Sequence, residues 1–481
     1  MRSYYPLFNP SFNGAVCALF AARVLACPSL AAAATPEQQS LHVLNRIAYG
    51  PTPGDVVRVT QMGLKRYIDI QLDPASMEYP AALVERLDGL DLVKRGAGDA
   101  LAEFVELRRD VRNEEEGAKK RRADSLKLMA RQTAEARLLR AVHSPRQLEE
   151  VMVDFWYNHF NVFEGKGPDR VLVASYERDA IRPFVFGAFR SMLGATAKHP
   201  AMLYYLDNQL SKAGALNENY ARELMELHTI GVNGGYTQKD VTELARMLTG
   251  WGYDARALIR RGELFRFDMG RHDQEPKTWL GQQVVQKGQA EGEFALDVLA
   301  RHPATARNVS YKLAQYFVHD TPPAALVERM ARTWRDTDGD IRAVMRTLLA
   351  SDEFMAPAAI GAKFKTPYQY VVSTARAAGA DVDKVAPLLQ SLAQLGMPLY
   401  GCVTPDGYKN TEAAWLNPGA LTRRIAFATA TATAAAAKLD PVQLEGAIGV
   451  AISARTRTMV ATHPAPLRAA MLLGSPDFMQ R

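Results

Sequence analysis

The sequence predicts an all-α fold: one large multi-helix domain, in one lobe or two, with few or no strands. Three observations carry this. Helix start and stop signals recur from Thr35 onward. Apolar residues between them repeat with helical period. No run of alternating β-branched residues closes on a hairpin turn such as Asn-Gly.

Taken in order, residues 98–142 are charge-dense, with Glu114-Glu115-Glu116 followed by Lys119-Lys120-Arg121-Arg122. Interleaved signs of this kind suit a solvated helix or helical hairpin. Ser144-Pro145-Arg146-Gln147 has the form of a capping box with Pro at the first helical position. Thr237 to Asp240 is a second box, opening a helix expected to stop at Gly250. His199, His302 and His463 each begin a His-Pro-Ala triplet before an apolar-periodic run, so all three mark helix entries. Asp336 to Asp340 suggests a calcium loop, but the sixth and twelfth positions are Ile341 and Thr347, where Gly and Glu are needed. It is read as a turn, with Asp340 capping the next helix. Ser351-Asp352-Glu353-Phe354-Met355 is echoed by Ser475-Pro476-Asp477-Phe478-Met479, a packing device used twice. The Ala-rich run from Ile425 to Ala437 reads as a packed helix, shorter than the ~20 residues a membrane span needs.

Composition bounds the function classes. The 481 residues are 48% hydrophobic and 23% charged, which excludes a disordered chain, a collagen-like chain and a bundle of membrane spans. A net charge of +6 over this length is too weak a field to indicate nucleic acid. Residues 1–34 read as an export signal: Arg2, an apolar run from Gly14 to Ala26, and Ala31 to Ala34 before a cleavage site at Thr35. Val24-Leu25-Ala26-Cys27 offers a second reading, a lipoprotein signal ending before Cys27. The expected location is therefore periplasmic or secreted, or lipid-anchored through Cys27. The expected domain is 35–481. Beyond the N-terminal segment only Cys402 remains, so an internal disulfide and a thiolate zinc cage are excluded. No haem-attachment, nucleotide-binding, zincin or G-x-S-x-G pattern occurs.

One polar cluster stands out. Tyr204-Tyr205-Leu206-Asp207-Asn208 ends one helix, and Asn217 to His228 forms another. At about 100° per residue, Asn219, Arg222, Glu223 and Glu226 share a face, with His228 on the opposite, apolar one. A carboxylate at a helix C-terminus opposes the dipole, so Asp207 calls for a cation, Arg222 or a metal. Asn208 is a candidate left-handed cap. The helix after Pro145 places His159 among Leu148, Met152 and Phe155, a core histidine or a ligand, with Asp154 and Asn158 on its other stripe. His272, Asp273 and Lys277 lie in an aperiodic segment after Trp251. The candidate binding set is thus Asp207, Asn208, Asn219, Arg222, Glu223, Glu226, His272, Asp273, Asn158 and His159, with the Glu223 face expected to turn inward against Asp207 and the His272 loop. Such carboxylates and histidines suit a divalent metal or paired acid and base roles; they equally suit a buried network that fixes helix register.

The strings Phe155 to Phe160, His199 to Asn208, Asn217 to Glu226, Tyr236 to Trp251 and His302 to Ala306, with Leu41 to Arg46, Gly50-Pro51-Thr52, Trp415 to Pro418 and Ser475 to Arg481, resemble the bacterial family catalogued as domain of unknown function 1800. The resemblance implies an exported, mostly helical protein whose activity is unknown. It also implies a gene neighbour of a second exported, sulfatase-like family, domain of unknown function 1501, as a partner. Many members have His where this chain has Tyr157, and Phe where it has His228. A two-histidine site on the first helix is therefore not carried over, and His228 is again placed in the core. The expected function is a binding or assembly factor of the cell envelope acting with such a partner, the alternative a carboxylate- and histidine-based, metal-assisted hydrolase.

Overall fold

The computed structural model describes residues 34–379, 385–434 and 441–481. The expected export segment, Cys17 and Cys27 included, lies outside the described residues but for Ala34, as do residues 435–437 of the Ala-rich run.

Helices fill the described residues, and the strands are two antiparallel pairs of two residues each. Trp251–Gly252 pairs with Arg266–Phe267, and Thr278–Trp279 with Gln282–Gln283. The fold is all-α, as the caps and period predict. One large apolar cluster runs from Leu41 to Met479, and a small second one joins Leu83, Leu90, Ala136 and Leu139. Among the described residues, no helix is long and apolar enough to cross a membrane.

Many of the local signals act as read. The charge-dense segment is a hairpin of Ala97–Arg112 and Ala118–His143, turning at Gly117 with φ 70°. Left-handed backbone there favours glycine, which has no Cβ to clash. Thr237 and Asp240 form a full capping box, and Asp340 accepts from the Ala343 amide. The Thr237 helix ends at Met247, three residues before Gly250. His199 and His302 cap their helices by accepting the amides of Ala201 and Ala304 on Nδ1. His463 enters a helix without doing so, because its Nδ1 instead donates to the Met459 carbonyl. The echoed serines each accept an amide three residues on, from Phe354 and Phe478, and both rings are buried.

One box is not a box. The helix after Ser144 starts at Gln147, and Ser144 Oγ accepts the Arg146 amide, leaving Pro145 outside. Gln147 is drawn instead to the carbonyls of Ala141 and Ser144, and Gln71 takes the Leu148 amide. A tertiary partner supplies what the local cap was expected to give.

The Gln147–His159 helix is buried nearly all round, so its polar residues need partners inside the protein. Asp154 pairs with Arg137 at 2.7 Å, and Arg137 reaches Glu177 at 3.2 Å. Arg182 joins Glu177 to Glu150. The Arg137 guanidinium also lies 5.3 to 5.4 Å from the ring centres of Tyr157, Tyr368 and Tyr400. This network ties four segments of the chain together around the helix.

Candidate functional site

The predicted residues divide into three groups. The first sits around Asp207. Its cation is Lys166, at 2.8 Å, and not Arg222. Arg222 is committed to Glu218, Glu226 and Gln238. Asp207 itself, not Asn208, takes the left-handed conformation, with φ 59°. Asn208 is buried and donates to the carbonyls of Leu248 and Trp251, a clip between segments. Beside this pair lies Asp169, fully buried, with neither carboxylate oxygen hydrogen-bonded among the described residues. Burial pushes its carboxyl well above the usual range, Lys166 opposing and Asp207 adding.

The second group is His272 and Asp273. His272 is buried, donates from Nδ1 to the Thr249 carbonyl at 2.9 Å, and lies 3.4 Å from Glu291. Asp273 is clamped by Arg246 through both oxygens. Burial pushes its carboxyl up, and the Arg246 hydrogen bonds outweigh this and hold it below the usual range. The expected convergence of this loop on Glu223 does not occur. Its side chains are consumed by Thr249, Glu291 and Arg246, in a knot of their own around the small strand pairs.

The third group opens on a cleft of about 380 Å³. Asn158, His159 and Glu226 line it, with Asn308, Lys312 and Asp406. Its walls are the Gln147–His159 and Pro303–Phe317 helices, the turn after Glu223, and the segment from Met397 to Thr411. Asn158 holds that last segment in place, accepting the Tyr408 amide at 2.7 Å and donating to the Tyr408 carbonyl at 2.9 Å. His159 donates from Nε2 to the His228 carbonyl. Burial, with Lys312 and His228 adding, drives its pKa well below 6.5 and keeps the ring neutral. His228 is buried, as both the wheel and the resemblance place it.

The inward face was expected to be Asn219, Glu223 and Glu226. Asn219 is exposed, and the two glutamates are half-buried. The helix Asn219–Glu223 widens into a π turn over Leu224–His228. Asn219 and Glu223 precede that turn; the buried side of their helix is Tyr220 and Ala221, which leaves the face they share turned outward. Glu223 makes no hydrogen bond or ion pair among the described residues. Burial pushes its carboxyl up, Glu226 and Asp406 adding and Arg222 opposing.

Lys312 was passed over in the sequence. Its amine donates to the Leu227 carbonyl at 2.8 Å and makes no ion pair among the described residues. Burial pushes it down to about 8, with Lys409 adding and Asp406 opposing. The signal was there: Lys312 stands three residues after Val309 and four before Tyr316, on the apolar stripe of its helix. A lysine on a core stripe is either neutralised or in use.

The family model described as Protein of unknown function (DUF1800) matches residues 42–480. The chain belongs to this family. Comparison with curated proteins and with solved structures gives no match. Membership in DUF1800 assigns no reaction, so the chemistry has to come from the groups themselves. Among the described residues, no three His, Cys, Asp or Glu side chains are placed to hold one metal ion. A hollow of about 910 Å³ edged by Leu64, Ile68 and Leu349 contains none of the predicted residues.

Proposed function

We propose that the chain is an exported binding protein of the bacterial cell envelope, and that its cleft holds the anionic group of a ligand or partner on Lys312. The observation that carries this is a half-buried lysine in the wall of an open cleft, its amine with one carbonyl as its partner and no carboxylate. A lone ammonium there costs free energy unless an anion joins it. The composition of residues 1–34 supports export. The gene-neighbour habit of DUF1800 supports a sulfatase-like partner as one bearer of that anion. The hydrolase reading has less support, because His272 and Asp273 lie apart from Glu223 and His159 is tied to a carbonyl.

The test is nuclear magnetic resonance of lysine labelled with carbon-13, the Lys312 signal being assigned by its loss in Lys312→Arg. The signal should titrate near pH 8. Acetate or succinate should move it and raise its midpoint, since a bound anion favours the charged amine. A signal that titrates in the ordinary lysine range and ignores every carboxylate overturns the reading.

A further inference from the structure

A second pocket, of about 320 Å³, shares no lining residue with the Lys312 cleft. One wall is the Ala118–His143 helix, which brings Thr133, Ala136 and Arg140 to it from a single face. Val84 and Leu87 of the Ala81–Asp88 helix and Val93 of Asp91–Lys94 supply apolar wall. Leu87 and Val93 also pack on the small apolar cluster that contains Ala136. Ala136 and Ala174 carry only a methyl group, which leaves the space between the walls open. Hydrogen bonds hold the Asp91–Lys94 segment in place: Gln132 accepts the Leu92 amide, and Arg178 donates to the carbonyls of Val93 and Arg95, all at 2.9 Å. A preformed, mostly apolar concavity with a few polar groups is the usual form of a small-molecule site.

Four cations line this pocket, and three of them are matched. Lys94 pairs with Asp88, Arg178 with Asp179, and Arg182 with Glu150 and Glu177. Arg140 makes no ion pair among the described residues. Its Nη1 donates to the Ala136 carbonyl, at 3.5 Å and one turn back on its own helix. Arg140 is half-buried, so its charge stays within reach of solvent and of a ligand. Tyr79 lines the same pocket, is also half-buried, and its hydroxyl makes no hydrogen bond among the described residues.

We propose that this pocket binds a carboxylate carrying an apolar tail, the head on Arg140 and the tail against Leu87, Ala136 and Ala174. The site is separate from Lys312 and does not depend on it. Charge selects the head. One lining cation is unmatched, while both lining acids, Asp88 and Glu177, already hold cations. A guanidinium presents a planar fork that fits a carboxylate, and the Tyr79 phenol is a further donor. A phosphate ester carries close to two charges and would leave one unmet. The apolar wall selects the tail, because covering it takes apolar surface out of water.

The experiment is isothermal titration calorimetry on the full chain with octanoate, octanamide and acetate. Octanoate should bind. Octanamide keeps the tail without the charge and should bind more weakly by about tenfold or more, the size of one lost charged contact. Acetate keeps the charge without the tail and should bind more weakly by about a hundredfold or more, each buried methylene being worth about fourfold. Arg140→Gln should bind octanoate and octanamide alike, and Ala174→Leu, which fills the pocket, should weaken both. The comparison of ligands on the parent chain needs no variant, so it stands even where a substitution unfolds the protein. If the parent binds octanamide as tightly as octanoate, or if Arg140→Gln binds octanoate as the parent does, the pocket is not a carboxylate site. If the heat vanishes in Lys312→Gln and persists in Arg140→Gln, octanoate sits in the other cleft, and the Lys312 reading stands while this one falls. If octanoate gives no heat, this site is wrong whatever acetate does at Lys312.

Discussion

Burial acts in opposite directions on Glu223 and Lys312, raising one pKa and lowering the other. In both cases the fold disfavours the charged form. For Glu223 the sign follows directly. A carboxyl raised in the folded state contributes stability below its unfolded value, and that contribution is lost as pH rises through the folded value. At neutral pH its charge therefore supports nothing. Glu223→Gln should leave unfolding free energy within about 0.5 kcal/mol of the parent, because no hydrogen bond or ion pair is broken. Urea melts at neutral pH check this. A loss of several kcal/mol would make Glu223 a structural strut.

At the scale of elements, the Gln147–His159 helix depends on the charges packed against it. Arg137 holds Asp154 and Glu177, and both carboxylates are buried. The two respond differently. Burial raises Asp154 despite Arg137, while Arg137 and Arg182 together overcome burial and lower Glu177. Arg137→Met leaves both acids without their main cation and should cost about 3–5 kcal/mol, the scale for a buried pair deprived of one partner. Chemical denaturation followed by circular dichroism measures it. A loss under 1 kcal/mol, on the order of a surface pair, would show that Arg182 alone holds the network. The echoed helix stops give a smaller, local case. Ser475→Ala removes the acceptor for the Phe478 amide and should cost about 1 kcal/mol, read as a lowered melting temperature.

For the whole molecule, acid is the sensitive direction. His42, His199 and His228 are pushed down to about 3, and His159 well below 6.5, chiefly by burial. A histidine lowered in the folded state contributes stability above its unfolded pKa, and the contribution is lost as pH falls towards the folded value. Asp169, Asp154, Glu149, Glu164 and Glu223 work the other way, because carboxyls raised in the fold release protons on unfolding. Each buried ring should therefore add about one proton taken up on unfolding between about pH 6.5 and 4, about 1.4 kcal/mol per pH unit, with the raised carboxyls reducing the sum. Calorimetric melts across that range test it, and His228→Phe should reduce the slope by about one proton. A melting temperature flat from pH 7 to about 5 would mean that these rings are not buried neutral.

The sequence by itself determined what depends on neighbours along the chain. Helix period, the Thr237 box, the Asp340 cap, the two serine stops and the burial of His228 are settled within a few residues, by backbone hydrogen bonds and side-chain spacing. Asn158, His159 and Glu226 were legible as candidates because polar groups among apolar ones need partners wherever the chain goes. Tertiary structure decided which partners they meet. Lys166 reached Asp207 from 41 residues away, Gln71 took the Leu148 amide at the start of a helix 77 residues on, and Thr249 took His272. Burial of Tyr220 and Ala221 turned the face of Asn219 outward, and Lys312 came to the cleft from 85 residues beyond its carbonyl at Leu227. Ion pairs and carbonyl contacts act across space and leave no period in the sequence, so the site was legible as residues and only the packed fold made it a cleft.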